Sequence, residues 1–235
     1  MRLRVTFSKT GALCYTSHLD LHTIWERTAR RANLPLAYSQ GFHPQPKIQL
    51  AAALPLGFIG RAEVVDIWLT DDIGADLVPD QDEDKSRPYV ILLQSTAPPG
   101  LTILNVEEVD PRAPALQTQV ISSEYKATLL DPADETVLTR QIVALLGSTS
   151  LPRERRGKSY DLRPLIEELK LLPHPQPLSQ REGGVIHLFM RLSAREGATG
   201  RPDEVLDVLG IPLEYTRVER TRIIFKNNVE LLNLN

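Results

Sequence analysis

Cysteine is nearly missing: Cys14 is the one thiol in 235 residues. A disulfide framework, a structural zinc cluster and a self-contained iron–sulfur site all need more thiolates than that and are excluded. No uninterrupted run approaches the ~18 apolar residues of a membrane span, and the N-terminal MRLRVTFSKTGALCY lacks an apolar signal core. The expectation is a soluble, cytoplasmic protein with no membrane contact. Neither a Walker loop nor a G-x-G-x-x-G occurs, so no nucleotide cofactor is expected. The five histidines include no His-Glu-x-x-His pair, so no metal is expected either.

What is present is ordinary globular composition, 42% hydrophobic and 24% charged, enough for one large domain or two smaller ones. The net charge of −3 hides an uneven spread. Seven carboxylates and no cation fall in residues 71–84, which leaves +4 for the rest. Arg153, Arg155, Arg156, Lys158 and Arg163 outweigh Glu154 and Asp161, and Arg27, Arg30 and Arg31 form a second basic group. Clustered cations suit an anionic partner, although each cluster taken alone reads equally well as a solvated face.

Along the chain, RLRVTF alternates as a half-buried strand should, and Leu13-Cys14-Tyr15 reads as a further extended stretch. Ser17 with Asp20 three residues on suggests a capped helix running to about Ala32, with Leu21, either Ile24 or Trp25, Thr28, Ala29 and Ala32 on its inner face. A turn-rich loop, SQGFHPQP, precedes strand candidates at 47–54, 62–69 and 101–109, with an acidic loop and a weak helix between the last two. After Pro111–Pro114 the order repeats: strand 125–130, helix 134–146, polar extended 151–160, short helix 162–172, strand 185–192, helix 202–209, strand 215–225. The fold class expected is α+β, two ferredoxin-like (βαββαβ) halves packed together, 1–112 and 113–235. The proline-rich 172–184 stretch is expected to be a mobile insert in the second half.

Chemistry-bearing residues gather at two places. Ser17, His18 and Asp20 lie at a helix entrance; Ser39, Gly41, His43 and Lys47 lie in or beside the GFHPQPK loop. If the loop returns to the helix N-terminus, the group would bind phosphate, or support acid–base cleavage of RNA by His18 and His43. The plainer reading is that Ser17 and Asp20 only cap the helix. The second place is Arg153, Arg155, Arg156 and Lys158 with Tyr160 and Arg163, where guanidinium groups would pair with phosphates and the phenol would stack on an unpaired base. A charged, aggregation-resistant strand edge accounts for the same residues. No RNP1-like aromatic signature accompanies them.

The run FSKTGALCYTSHLDLHTIWERTARRANLPLAYSQGFHPQPKIQLAAALPLGFIGRAEVVDIWL resembles the N-terminal signature of the radical-SAM-linked protein family, a bacterial domain of unknown function. LQTQVISSEYKATL, KSYDLRPLIEEL, GRPDEVLDVLGI and RVERTRIIF extend the resemblance over almost the whole chain, with departures at 71–98 and 172–184. The resemblance implies a companion of a radical SAM enzyme, fused to it or encoded beside it, in an RNA-related setting near ribonuclease E/G genes. The chain lacks the three-cysteine cluster motif, so any radical chemistry would belong to the partner.

The reading that follows is an accessory module that is not itself an enzyme. It would bind RNA or an RNA-containing particle and present it to a partner radical SAM enzyme. Arg27, Arg30, Arg31, Lys47, Arg153, Arg155, Arg156 and Lys158 would contact phosphate, and Ser17, His18 and the Gly41–Lys47 loop would form a specific pocket. Two alternatives are a metal-independent RNA-cleaving or RNA-modifying enzyme using His18 and His43, and a protein-only adaptor docking to the radical SAM enzyme through residues 48–69.

Overall fold

The computed structural model describes residues 1–70, 87–155, 157–173 and 185–226. It is a mixed α+β protein of mostly antiparallel sheet, with five α-helices among the described residues. None of these helices is long and apolar enough to cross a membrane. The chain divides into two compact units, Met1–Val120 and Ile121–Asn235. Residues 71–86 of the acidic loop expected over 71–88, and residues 174–184 of the proline-rich insert, lie outside the described residues; Arg87 and Pro88 are helical.

In the first unit, β1 (Arg2–Lys9) lies between β3 (Ile59–Trp68) and β4 (Leu101–Val109), antiparallel to both, and β2 (Ile48–Leu50) flanks β3. The order is therefore β2–β3–β1–β4. Alternation along β1 sends Leu3, Val5 and Phe7 into a core with Leu21, Trp25 and Ala29 of α1 (His18–Arg31) and Tyr89 and Leu93 of α2 (Arg87–Thr96). Phe7 meets Trp25 edge to face, centroids 4.8 Å apart. The opposite face of β1 carries Arg2 and Arg4, which share the fully buried Asp66 carboxylate of β3: Arg4 donates at 2.9 and 3.0 Å, and Arg2 through Nε and Nη2. Arg2 also donates to the carbonyls of Ala113 and Pro114, so the proline segment read as a boundary is tied into the first unit. It leads to α3 (Leu116–Gln119).

Two expectations in this unit change. Residues Gly11–Tyr15 form a 3-10 turn rather than a strand, because Gly11 takes a φ of 58° and the chain folds back on the carbonyl of Thr10. Cys14 is nonetheless buried there, and burial pushes its thiol pKa up, against the lowering pull of Lys9 and Arg61. Of the strand expected over 47–54 only Ile48–Leu50 is strand, with Lys47 and Ala51 bonded to Trp68 and Val64 at its ends, before Pro55 and a left-handed Gly57 turn the chain.

In the second unit, β5 (Val120–Leu129) lies between β11 (Thr216–Phe225) and β9 (His187–Arg195), while β8 (Ile166–Leu171) and the short β10 (Ala198–Thr199) both pair with β9. A hairpin of β6 (Pro152–Arg155) and β7 (Lys158–Asp161) follows α4 (Glu135–Gly147), and α5 (Pro202–Val208) starts on its proline as expected. The helix expected over 162–172 is a strand preceded by one 3-10 turn. Leu162, Ile166 and Leu169 are buried at helical spacing, but that spacing comes from the turn and from a β-bulge between Ile166 and Glu168, which restores the inward side chains to one face.

Candidate nucleic-acid interface

At the start of α1 the residues expected to form a phosphate site satisfy one another. Ser17 Oγ accepts from the Asp20 amide at 3.1 Å, while an Asp20 carboxylate oxygen accepts from the Ser17 amide at 3.2 Å and from its hydroxyl at 2.7 Å. Hydrogen bonds from the Ser17 side chain and backbone hold the Asp20 carboxyl below its usual value, so a negative charge already sits on the helix end. This is a complete capping box. His18, half-buried beside it, has interactions of its own.

The loop does not return there. Lys9 Nζ donates to the Thr16 carbonyl at 2.9 Å, which puts the helix start at the Lys9 end of β1. The chain around the loop is fastened at the other end, through Ala37 N to Trp68 O (2.8 Å) and Trp68 N to Lys47 O (3.0 Å), where Trp68 faces Arg2 in the register. β1 separates these ends by about 23 Å. His18 and His43 therefore do not form a catalytic pair, and Ser17 does not join Ser39 and Lys47. Among the described residues no cluster of three histidine, cysteine or carboxylate side chains is placed to hold a metal ion.

What the loop meets is the C-terminal turn of α1. The Arg30 guanidinium lies 5.9 Å from the centre of the Tyr38 ring and pairs with Glu26 at 2.8 Å. Arg27 and Arg31, one turn apart on the same helix, are exposed and make no ion pair among the described residues. Residues 39–45 form a loop closed by Ser39 N to Gln45 O (2.8 Å) and Gln45 N to Ser39 Oγ (3.0 Å), with Gly41 at a φ of 134°, a conformation that favours glycine. Phe42 at its tip is fully exposed, His43 and Lys47 are exposed beside it, and Tyr38 is partly exposed. Three of the expected arginines, His43, Ser39, Gly41 and Lys47 thus share one end of the first unit. Tyr38 and Phe42 are contributors that charge counting missed; the signal was an aromatic flanked by glycine and proline in a polar loop.

The second expected patch is differently built. Arg153 pairs with Asp207 at 3.0 Å, and Arg155 grips Glu204 through Nε (3.0 Å) and Nη2 (2.7 Å) while packing on the Tyr160 ring at 4.9 Å. Burial alone would lower the Arg155 pKa, but the Glu204 carboxylate holds it up. Burial, with Glu204 close by, raises the Tyr160 pKa. Arg163 donates to the Leu146 and Ile166 carbonyls rather than facing solvent ligands. Lys158 is exposed with no ion pair among the described residues; Arg156 lies outside them. A phosphate approaching Arg155 would compete with Glu204, and one approaching Arg153 with Asp207.

Comparison with known proteins places most of the chain. Residues 2–202 match the family described as an uncharacterised protein conserved in bacteria, DUF2344, and the chain belongs to that family. No curated protein matches it. A solved structure assigned as a candidate glycine cleavage system transcriptional repressor aligns at 11% identity over 96% of this chain and 98% of its own, with a TM-score of 0.23.

Proposed function

We propose that the chain is an accessory module, not itself an enzyme, that binds RNA through the C-terminal turn of α1 and the 39–47 loop and presents it to a partner radical SAM enzyme in the cytoplasm. The observation that carries the reading is the Arg30–Tyr38 contact. It joins a turn bearing Arg27 and Arg31 to a loop bearing Lys47, and so turns two separate sequence motifs into one basic, aromatic surface. Arginine and lysine supply phosphate contacts, and the aromatic rings supply faces for bases. The strand orders β2–β3–β1–β4 and β8–β9–β5–β11 support reading each unit as a ferredoxin-like half. The partner assignment rests on the sequence motifs that resemble the radical-SAM-linked family.

The test is fluorescence anisotropy of a labelled single-stranded RNA across a salt series. Replacing Arg27, Arg31 and Lys47 together with alanine should lower the log–log salt slope by about two, at ~0.7 per phosphate contact. An unchanged slope would overturn this surface as the RNA contact. Co-purification of a radical SAM enzyme with the tagged chain after nuclease treatment tests the partner; its loss on nuclease treatment would mean that RNA alone bridges them.

A further inference from the structure

Beside the 39–47 loop the first unit has a cleft of about 440 Å³, within the ~300–1,000 Å³ of small-ligand sites. Ser39, Gln45, Lys47, Gln49, Trp68 and Ala115 line it together with Arg2. Arg2 backs the cleft rather than serving it. Its guanidinium lies 4.6 Å from the centre of the Trp68 ring, and its donors are engaged by Asp66, Ala113 and Pro114. Trp68 is half-buried, its backbone fixed by Ala37 and Lys47.

The polar groups around this aromatic wall are few and of a particular kind. Gln49 Oε1 accepts from Leu116 N at 2.8 Å, which leaves its NH2 to donate. Ser39 Oγ accepts from Gln45 N and keeps its hydroxyl proton for another partner. The Gln45 side-chain amide is exposed and offers both a donor and an acceptor, and Lys47, exposed and without an ion pair among the described residues, supplies the cation. An aromatic wall, amides that can read a heterocycle edge, and one ammonium at the rim match a planar base joined to a phosphate.

We infer that this cleft binds a nucleobase with its phosphate: the base lies against Trp68, its edge meets Gln45 and Gln49, and the phosphate meets Lys47. The inference rests on the RNA reading and deepens it, since a duplex would keep its bases stacked and out of reach. The preferred ligand is a single-stranded RNA segment with an unpaired base.

The chain carries its own probe. Of its two tryptophans, Trp25 is fully buried in the core, so quenching by an added ligand reports on Trp68. Three ligands would be titrated: adenosine monophosphate, a twelve-nucleotide single-stranded oligoadenylate and a blunt RNA duplex, with anisotropy followed in parallel. The single strand should quench the emission and the duplex should not. Ala115→Phe, which fills the exposed rim without removing a buried group, should abolish quenching and weaken single-strand binding about tenfold, with the melting temperature unchanged. Trp68→Phe should remove the quenched signal. Salt-dependent single-strand binding with no quenching, or with Ala115→Phe binding like the parent, overturns the cleft and leaves the RNA reading standing. Quenching by the monophosphate with no RNA binding supports the cleft as a free-nucleotide site and overturns the RNA reading. No quenching and no RNA binding overturns both.

Discussion

In the second unit Arg153, Arg155 and Arg201 each meet a carboxylate of α5, Asp207, Glu204 and Asp203, at 3.0, 2.7 and 3.0 Å. In the first, Arg27, Arg31 and Lys47 are exposed and meet none among the described residues. Asp203 and Glu204 lie in the first turn of α5, where the helix dipole also favours them; Asp203 pairs with the neighbouring Arg201, while Glu204 and Asp207 reach Arg155 and Arg153 of the β6–β7 hairpin from more than forty residues along the chain. Guanidinium groups held this way tie the hairpin to the helix. Cations that stay exposed remain available to a phosphate. The difference lies in pairing rather than in charge, and it gives a double dissociation: breaking the pairs at Asp66, Glu124 and Glu204 should cost stability and leave RNA affinity alone, while removing the exposed cations should do the reverse.

The sharpest break is at Asp66. It is fully buried and receives four N–H groups, two each from Arg2 and Arg4. Asp66→Ala leaves a buried guanidinium without its counter-ion and should destabilise the protein by about 3–5 kcal/mol in urea unfolding. The Arg27, Arg31 and Lys47 triple variant should unfold within about 0.5 kcal/mol of the parent. Equal losses in the two variants would dissolve the distinction.

Glu124 in β5 is the paired centre of the second unit, bonded by Arg191 at 2.8 Å and Arg222 at 2.9 Å. Burial alone would raise its pKa, but the hydrogen bonds and charge of the two arginines prevail and hold it below its ordinary 4.5. A carboxyl depressed on folding contributes stability that is fully present above its unfolded value and is lost as pH falls through the folded one. Glu124→Gln should therefore cost about 1–3 kcal/mol at neutral pH, and the gap between parent and variant should close as pH drops below 4.5. A gap that stays constant down to strong acid would show that the ion pairs contribute nothing titratable.

Glu204→Gln tests the hairpin directly. With about a third of the Arg155 side chain in water, the expected loss is about 1 kcal/mol in urea unfolding. RNA affinity and salt slope should not change. If instead the variant binds RNA more tightly and with a steeper slope, Arg155 is a latent phosphate contact and the two regions are alike after all.

Much of the first unit was legible because its signals are local. Alternation marked β1, and the Ser17–Asp20 spacing marked both the helix start and its capping box. The 162–172 segment was misread because a turn and a bulge bury Leu162, Ile166 and Leu169 at helical spacing, and a bulge is set by the partner strand rather than by its own residues. The candidate site was half legible. Its basic residues stood out, but which end of β1 the loop joins depends on Trp68, whose bonds to Ala37 and Lys47 each span more than twenty residues. Likewise nothing near Arg153 announces Asp207.

The finest test lies inside the proposed interface, where one arginine is paired and two are not. Glu26 holds Arg30 at 2.8 Å across one helical turn, with both side chains reached by water. Such a pair contributes only about 0.3–0.5 kcal/mol, so Glu26→Gln should barely move the unfolding midpoint. It removes a negative charge from beside the proposed phosphate path and lets Arg30 turn fully to Tyr38 or to the ligand. RNA affinity at low salt should therefore rise by a few-fold, with the slope slightly steeper, and the gain should vanish at high salt as screening removes the charge effect. A gain that persists at high salt would mean that Glu26 acts by shape rather than by charge, and the rule that pairing decides availability would not extend to exposed helical pairs.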